Sequence, residues 1–89
     1  MATLVVRHTV VDFTSWKQAY DDFNTERAGM GVTGHGVYQA EGDPNDVTLY
    51  HHFENLDAAK AFMANPRLHE AMKQAGVQGE PTIWFTTKV

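Results

Sequence analysis

The chain has 89 residues, enough for one domain and too few for two, and a domain this short buries only roughly 60 to 65% of its unfolded surface. A net charge of −4, with seven scattered basic side chains against eleven acidic ones, excludes the clustered positive footprint of a nucleic-acid or membrane-surface protein. There is no cysteine to staple the fold, no apolar run long enough to cross a membrane and no secretory-signal pattern in Met1–Arg7, so the expectation is a soluble cytoplasmic domain that gains stability from a partner subunit.

Leu4–Val11 is rich in β-branched side chains and reads as a first strand. Phe13, Trp16, Tyr20 and Phe23 then recur at helical spacing, with Asp12 or Thr14 as cap and Ala28-Gly29-Met30-Gly31 as the stop. Val32–Glu41 reads as a second strand, interrupted by Gly34 and Gly36, and Gly42–Asp46 is a turn by composition. Val47–Glu54 is a third strand with Val47, Leu49, His51 and Phe53 on one face. Asn55-Leu56-Asp57 opens a second helical region carrying Leu56, Ala59, Phe62 and Met63. Asn65-Pro66 breaks and restarts it, and Leu68, Ala71, Met72 and Ala75 continue the apolar stripe to Gly76. Thr82–Lys88 is the last strand.

The order β-α-β-β-α-β predicts a ferredoxin-like α+β domain: a four-stranded antiparallel sheet with both helical regions on one face. The opposite face stays bare within one subunit. It collects Thr48, Tyr50, His52 and Glu54, with Tyr38 beside Tyr50 and Trp84 joining from the last strand. A half-apolar surface of that size marks an interface, so a homodimer is expected, against the alternative of an exposed amphipathic sheet.

The pattern resembles the dimeric α/β-barrel superfamily, and within it the antibiotic biosynthesis monooxygenase-like group. The resemblance spans nearly the whole chain. It is carried by Leu4–Val11 leading into an aromatic helix, by Asp12-Phe13-Thr14-Ser15-Trp16-Lys17, by Val47–Ala59, and by Phe62–Leu68 before Met72. It implies two sheets packed face to face across a dimer and a pocket in each subunit between sheet and helices. Members oxidise aromatic polyketides with molecular oxygen and neither metal nor flavin, degrade haem, or isomerise and cyclise. The haem degraders of this group use an asparagine on the first strand and a tryptophan and a histidine on the second helical region. This chain has Arg7 and His8, Phe62 and Met72 there, which speaks against haem degradation.

Of the five histidines, alternation groups His8 with Leu4, Val6 and Val10, and His35 with Val37 and Gln39. A turn at Gly42–Asn45 sets His35 opposite Phe53 and His51 opposite Val37, so that His35 and His51 are diagonal neighbours and His8 joins them on an aromatic-walled pocket. Any of the three serves as the general base that deprotonates a phenol or enol for cofactor-free chemistry, together they offer imidazoles to a metal, or each is a core histidine bonded to its surroundings. The spacing matches no metal motif, and neither metal nor cofactor is expected. His52 and His69 fall on the interface and in solvent. Trp16, Tyr20, Phe23, Phe62 and Met72 are the expected substrate walls or plain core, and Arg7, Asp12 and Arg27 are expected to ion-pair near the pocket mouth. The expected ligand is a small planar, largely apolar molecule. The readings are a cofactor-free monooxygenase, a cyclase or isomerase using the same base, or a binding module without turnover.

Overall fold

The structure, a computed structural model, describes residues 1–89. The chain runs β1 (Ala2–Val10), α1 (Phe13–Asp22), α2 (Asn24–Gly29), β2 (Gly34–Ala40), β3 (Asp43–Phe53), α3 (Leu56–Ala64), α4 (Pro66–Gln74) and β4 (Val77–Thr87). The sheet order is β2-β3-β1-β4 and every neighbouring pair is antiparallel. This is the predicted ferredoxin-like arrangement, with each helical region divided in two.

The caps explain where the helices begin. The Asp12 carboxylate accepts from the Ser15 N–H at 2.9 Å, the Asn55 side chain accepts from Ala58 N–H, and the Asn65 side chain accepts from Arg67 N–H beside the N-terminal Pro66. One break falls where the sequence predicts a continuous helix, at Phe23. There the backbone turns (φ −84°, ψ 1°) although no glycine or proline is present. The Tyr20 carbonyl accepts from the Phe23 N–H at 3.3 Å and from the Arg27 guanidinium at 2.8 Å. A side chain from the next turn therefore replaces part of the missing backbone ladder.

The hairpin also differs from expectation. Glu41-Gly42 alone makes the turn, with Gly42 at φ +83°, and the remainder of the expected turn belongs to β3. The register shifts between Gln39 and Ala40, leaving Pro44, Asn45 and Asp46 as a bulge. Asn45 uses that bulge to accept from the Phe13 N–H at 2.9 Å, tying the hairpin to the start of α1. The pairing is thus two residues from the predicted one: His35 lies directly opposite His51 and Val37 opposite Leu49. A two-residue slip preserves the faces, so every inward residue stays inward.

The helix-covered face is the core. Leu4, Val6, Val10, Val47 and Phe53 from the sheet meet Trp16 and Tyr20 of α1, Ala59, Phe62 and Met63 of α3, and Leu68 of α4. On the open face Trp84, Val5 and Tyr50 form one row across three strands. A Cβ at Gly36 would sit 2.5 Å from Tyr50 Cε1, so the absent side chain is what allows the Tyr50 ring to lie across β2.

Candidate functional site

Between the sheet and α1, α3 and α4 lies a tight cavity of about 60 Å³. Its floor is Leu4, Val6, His8, Leu49 and His51, and its walls include Trp16, Tyr20, Phe23, Phe62, Met63, Leu68 and Met72. The lining is apolar except at three places: His8, His51 and Arg27. Each is almost wholly buried, at 6%, 3% and 3% exposed.

His8 stands at the Trp16 end of the cavity. Its ring meets Trp16 edge to face at 5.5 Å, and neither ring nitrogen has a hydrogen-bond partner. Burial lowers its pKa, so at neutral pH the imidazole is uncharged and one nitrogen carries a free lone pair. His51 differs. Its Nε2 accepts from Arg27 Nε–H at 3.0 Å, which places the imidazole proton on Nδ1, and Nδ1 has no partner. Burial first and the Arg27 charge second push its pKa down to about 3. Its ring stacks near Phe62 at 5.1 Å and His35 at 5.9 Å.

Arg27 binds this corner together. Beyond His51 it donates to the Tyr20 carbonyl at 2.8 Å and to the Asn24 side-chain oxygen at 3.3 Å, and its guanidinium lies over the Tyr20 ring at 3.8 Å. The Tyr20 hydroxyl in turn bonds His35 Nδ1 at 2.7 Å. His35, Tyr20, Arg27 and His51 therefore form one continuous polar chain along the wall.

No protein-family model and no curated protein matches the sequence. Solved structures do match the fold. A crystal structure of an antibiotic biosynthesis monooxygenase superposes with a TM-score of 0.77 at 10% identity, covering 100% of this chain and 99% of its own. SnoaB, a cofactor-independent oxygenase from Streptomyces nogalater, superposes with a TM-score of 0.75 at 16% identity, covering 99% and 94%. Rv0793 from Mycobacterium tuberculosis superposes with a TM-score of 0.73 at 12% identity, covering 99% and 94%. The chain has the antibiotic biosynthesis monooxygenase fold. Identities this low carry the architecture and not the chemistry.

Within this fold the expected site residues divide. His8, His51, Trp16, Tyr20, Phe23, Phe62 and Met72 all line the one cavity. His35 does not line it: it sits exposed on edge strand β2, its Nδ1 bonded to the Tyr20 hydroxyl. The expectation of three imidazoles around one space is corrected to two, and no three ligating side chains converge as a metal would require. His52 lies on the open face against the Thr3 hydroxyl at 2.8 Å, and His69 caps the Met63 carbonyl from an exposed position. The expected ion pairs at the pocket mouth are also corrected. Arg7 pairs with Asp46 at 2.6 Å, well exposed, and Asp12 caps α1. Arg27 pairs with no carboxylate and is part of the cavity wall, a role that spacing alone did not reveal. The available signal was its place four residues beyond Phe23 and seven beyond Tyr20, which puts a cation on the inward aromatic stripe.

Proposed function

We propose that the protein is a small-molecule enzyme of the cofactor-independent oxygenase kind. Its substrate is a planar, largely apolar compound held against Trp16, Tyr20, Phe23, Phe62 and Met72, with His8 as the general base. The observation that carries this reading is the pair of unpartnered ring nitrogens of His8 in an apolar cavity. A core histidine normally bonds its surroundings, because an unsatisfied buried polar group costs about 1 to 3 kcal/mol. An imidazole kept neutral and unbonded there is ready to accept a proton.

His8 takes the proton of a substrate phenol or enol. The anion formed gives electrons to dioxygen, the oxidant: at a substrate carbon bearing two hydrogens both C–H bonds and the O–O bond break, one oxygen atom becomes the carbonyl oxygen of the product, and the other leaves as water with the two hydrogens. The apolar walls keep bulk water from the intermediate. The fold is shared with a protein described as a cofactor-independent oxygenase, which is consistent with the reaction class. We further propose that a second copy of the chain covers the open sheet face, supported by the exposure there of Tyr38 (62%) and Trp84 (46%).

A carrier without turnover is the second reading. It is favoured by the Arg27 bond to His51 Nε2 and the Tyr20 bond to His35 Nδ1, which leave His8 as the cavity histidine with an unengaged lone pair. The two separate on His8→Ala. With a hydroxylated anthrone as substrate and oxygen uptake as readout, the variant should fold normally and lose activity at least 100-fold, as loss of a general base does. Unchanged uptake in His8→Ala, His35→Ala and His51→Ala alike would remove the base role. Product formation without air would turn the reaction into an isomerisation or cyclisation by the same base.

A further inference from the structure

The cavity contains a cation that nothing in the chain neutralises. Arg27 is 3% exposed, yet the ion pairs of the structure lie elsewhere: Arg7 with Asp46, Lys17 with Asp21, and Arg67 with Glu26. Asp21, six residues earlier on α1, acts on Arg27 only at a distance; it is exposed and paired with Lys17. The groups that touch Arg27 are all neutral: an imidazole nitrogen, a side-chain amide oxygen, a backbone carbonyl and a phenol ring. A guanidinium has five N–H donors and stays protonated. Three are used here, so two remain on a side chain that lines a space walled mainly by hydrocarbon. A buried charge without a counter-ion is costly, on the order of several kcal/mol, and is retained where something else supplies the opposite charge.

We propose that the ligand supplies it: the cavity takes a planar aromatic compound bearing an anionic oxygen group, a carboxylate, which pairs with Arg27. The two ends of the cavity then have separate tasks. Arg27 holds the acid group, and His8 faces the part of the ring system that reacts. This rests on the proposed reading only in placing the ligand in this cavity, since anion recognition needs no turnover.

The test is a binding titration of the full-length protein in the absence of air, using 2-naphthoate and its neutral isostere 2-naphthamide. Wild type should bind the naphthoate at least tenfold more tightly. Arg27→Gln should bring the two affinities within twofold by weakening the naphthoate alone. Arg27→Lys, which keeps the charge without the fork, should retain part of the preference. Equal affinity of wild type for the two compounds, or no binding of the naphthoate at millimolar concentration, would overturn the proposal. That comparison needs no variant, so it stands even if Arg27→Gln fails to fold after losing its bond to the Tyr20 carbonyl. A naphthoate preference alongside no oxygen uptake by wild type would leave the anion site intact and remove only the oxygenase reading. The reverse combination would remove only the anion site.

Discussion

Arg27 and His51 each set the state of the other. The guanidinium N–H occupies the imidazole lone pair, and its charge, added to burial, keeps His51 neutral with a pKa of about 3. The folded pKa lies below the ordinary value of 6.5, so between these pH values the unfolded chain binds the extra proton. Stability from this group is complete above about pH 6.5 and is lost as pH falls toward 3. His8 and His35 are shifted in the same direction, chiefly by desolvation, and add to the slope. His51→Gln keeps an acceptor for Arg27 and removes the titration. Urea unfolding at pH 7.5 and pH 5 should show wild type losing about 2 kcal/mol more than this variant over that interval. Equal losses in the two proteins would mean that His51 is not held neutral. At this scale the sequence was only half legible. Alternation placed His8 and His51 inward correctly, because strand period depends on local geometry alone. The Arg27 contacts depend on a helix break at Phe23 that no local breaker announces.

α4 covers the cavity with Leu68, Ala71, Met72 and Ala75, and so packs partly against empty space instead of against atoms. Its tie to α2 is the exposed Arg67–Glu26 pair, a kind of contact worth little. An aromatic ring needs more room than about 60 Å³, since an engineered cavity of about 150 Å³ is the size that admits benzene. The wall must therefore give, and the flexible Met72 side chain is where it gives most readily. Amide hydrogen exchange should run at least tenfold faster in α4 than in α3, and saturating 2-naphthoate should slow it. Exchange in α4 as slow as in β1 would place the opening elsewhere. The helices themselves were legible from caps and spacing, Asn65-Pro66 most clearly. The hairpin register was not, because the Asn45 bulge is selected by a contact with α1, a distant part of the chain.

For the molecule as a whole, edge strand β4 is the telling element. Ile83 and Phe85 share the helix-covered side with Leu4 and Val6 but remain 37% and 42% exposed, while Trp84 between them is 46% exposed on the open side. An edge strand apolar on both sides is a liability for a lone subunit. Sedimentation equilibrium should find a particle of about 20 kDa, twice the 10.0 kDa chain. Trp84→Asp should drive it toward the single chain, and a stable wild-type monomer at high concentration would refute the second copy.

Element order, the inward and outward faces of the strands, the helix caps and hence the ferredoxin-like fold followed from the amino-acid sequence by itself, because periodicity and capping act within a few residues. Only the tertiary structure decided that His35 lies outside the cavity lining, that His8 is left without a partner and that Arg27 is buried without a counter-charge. Those outcomes depend on which side chains meet across elements far apart in the chain, and a single sequence holds no local signal for that.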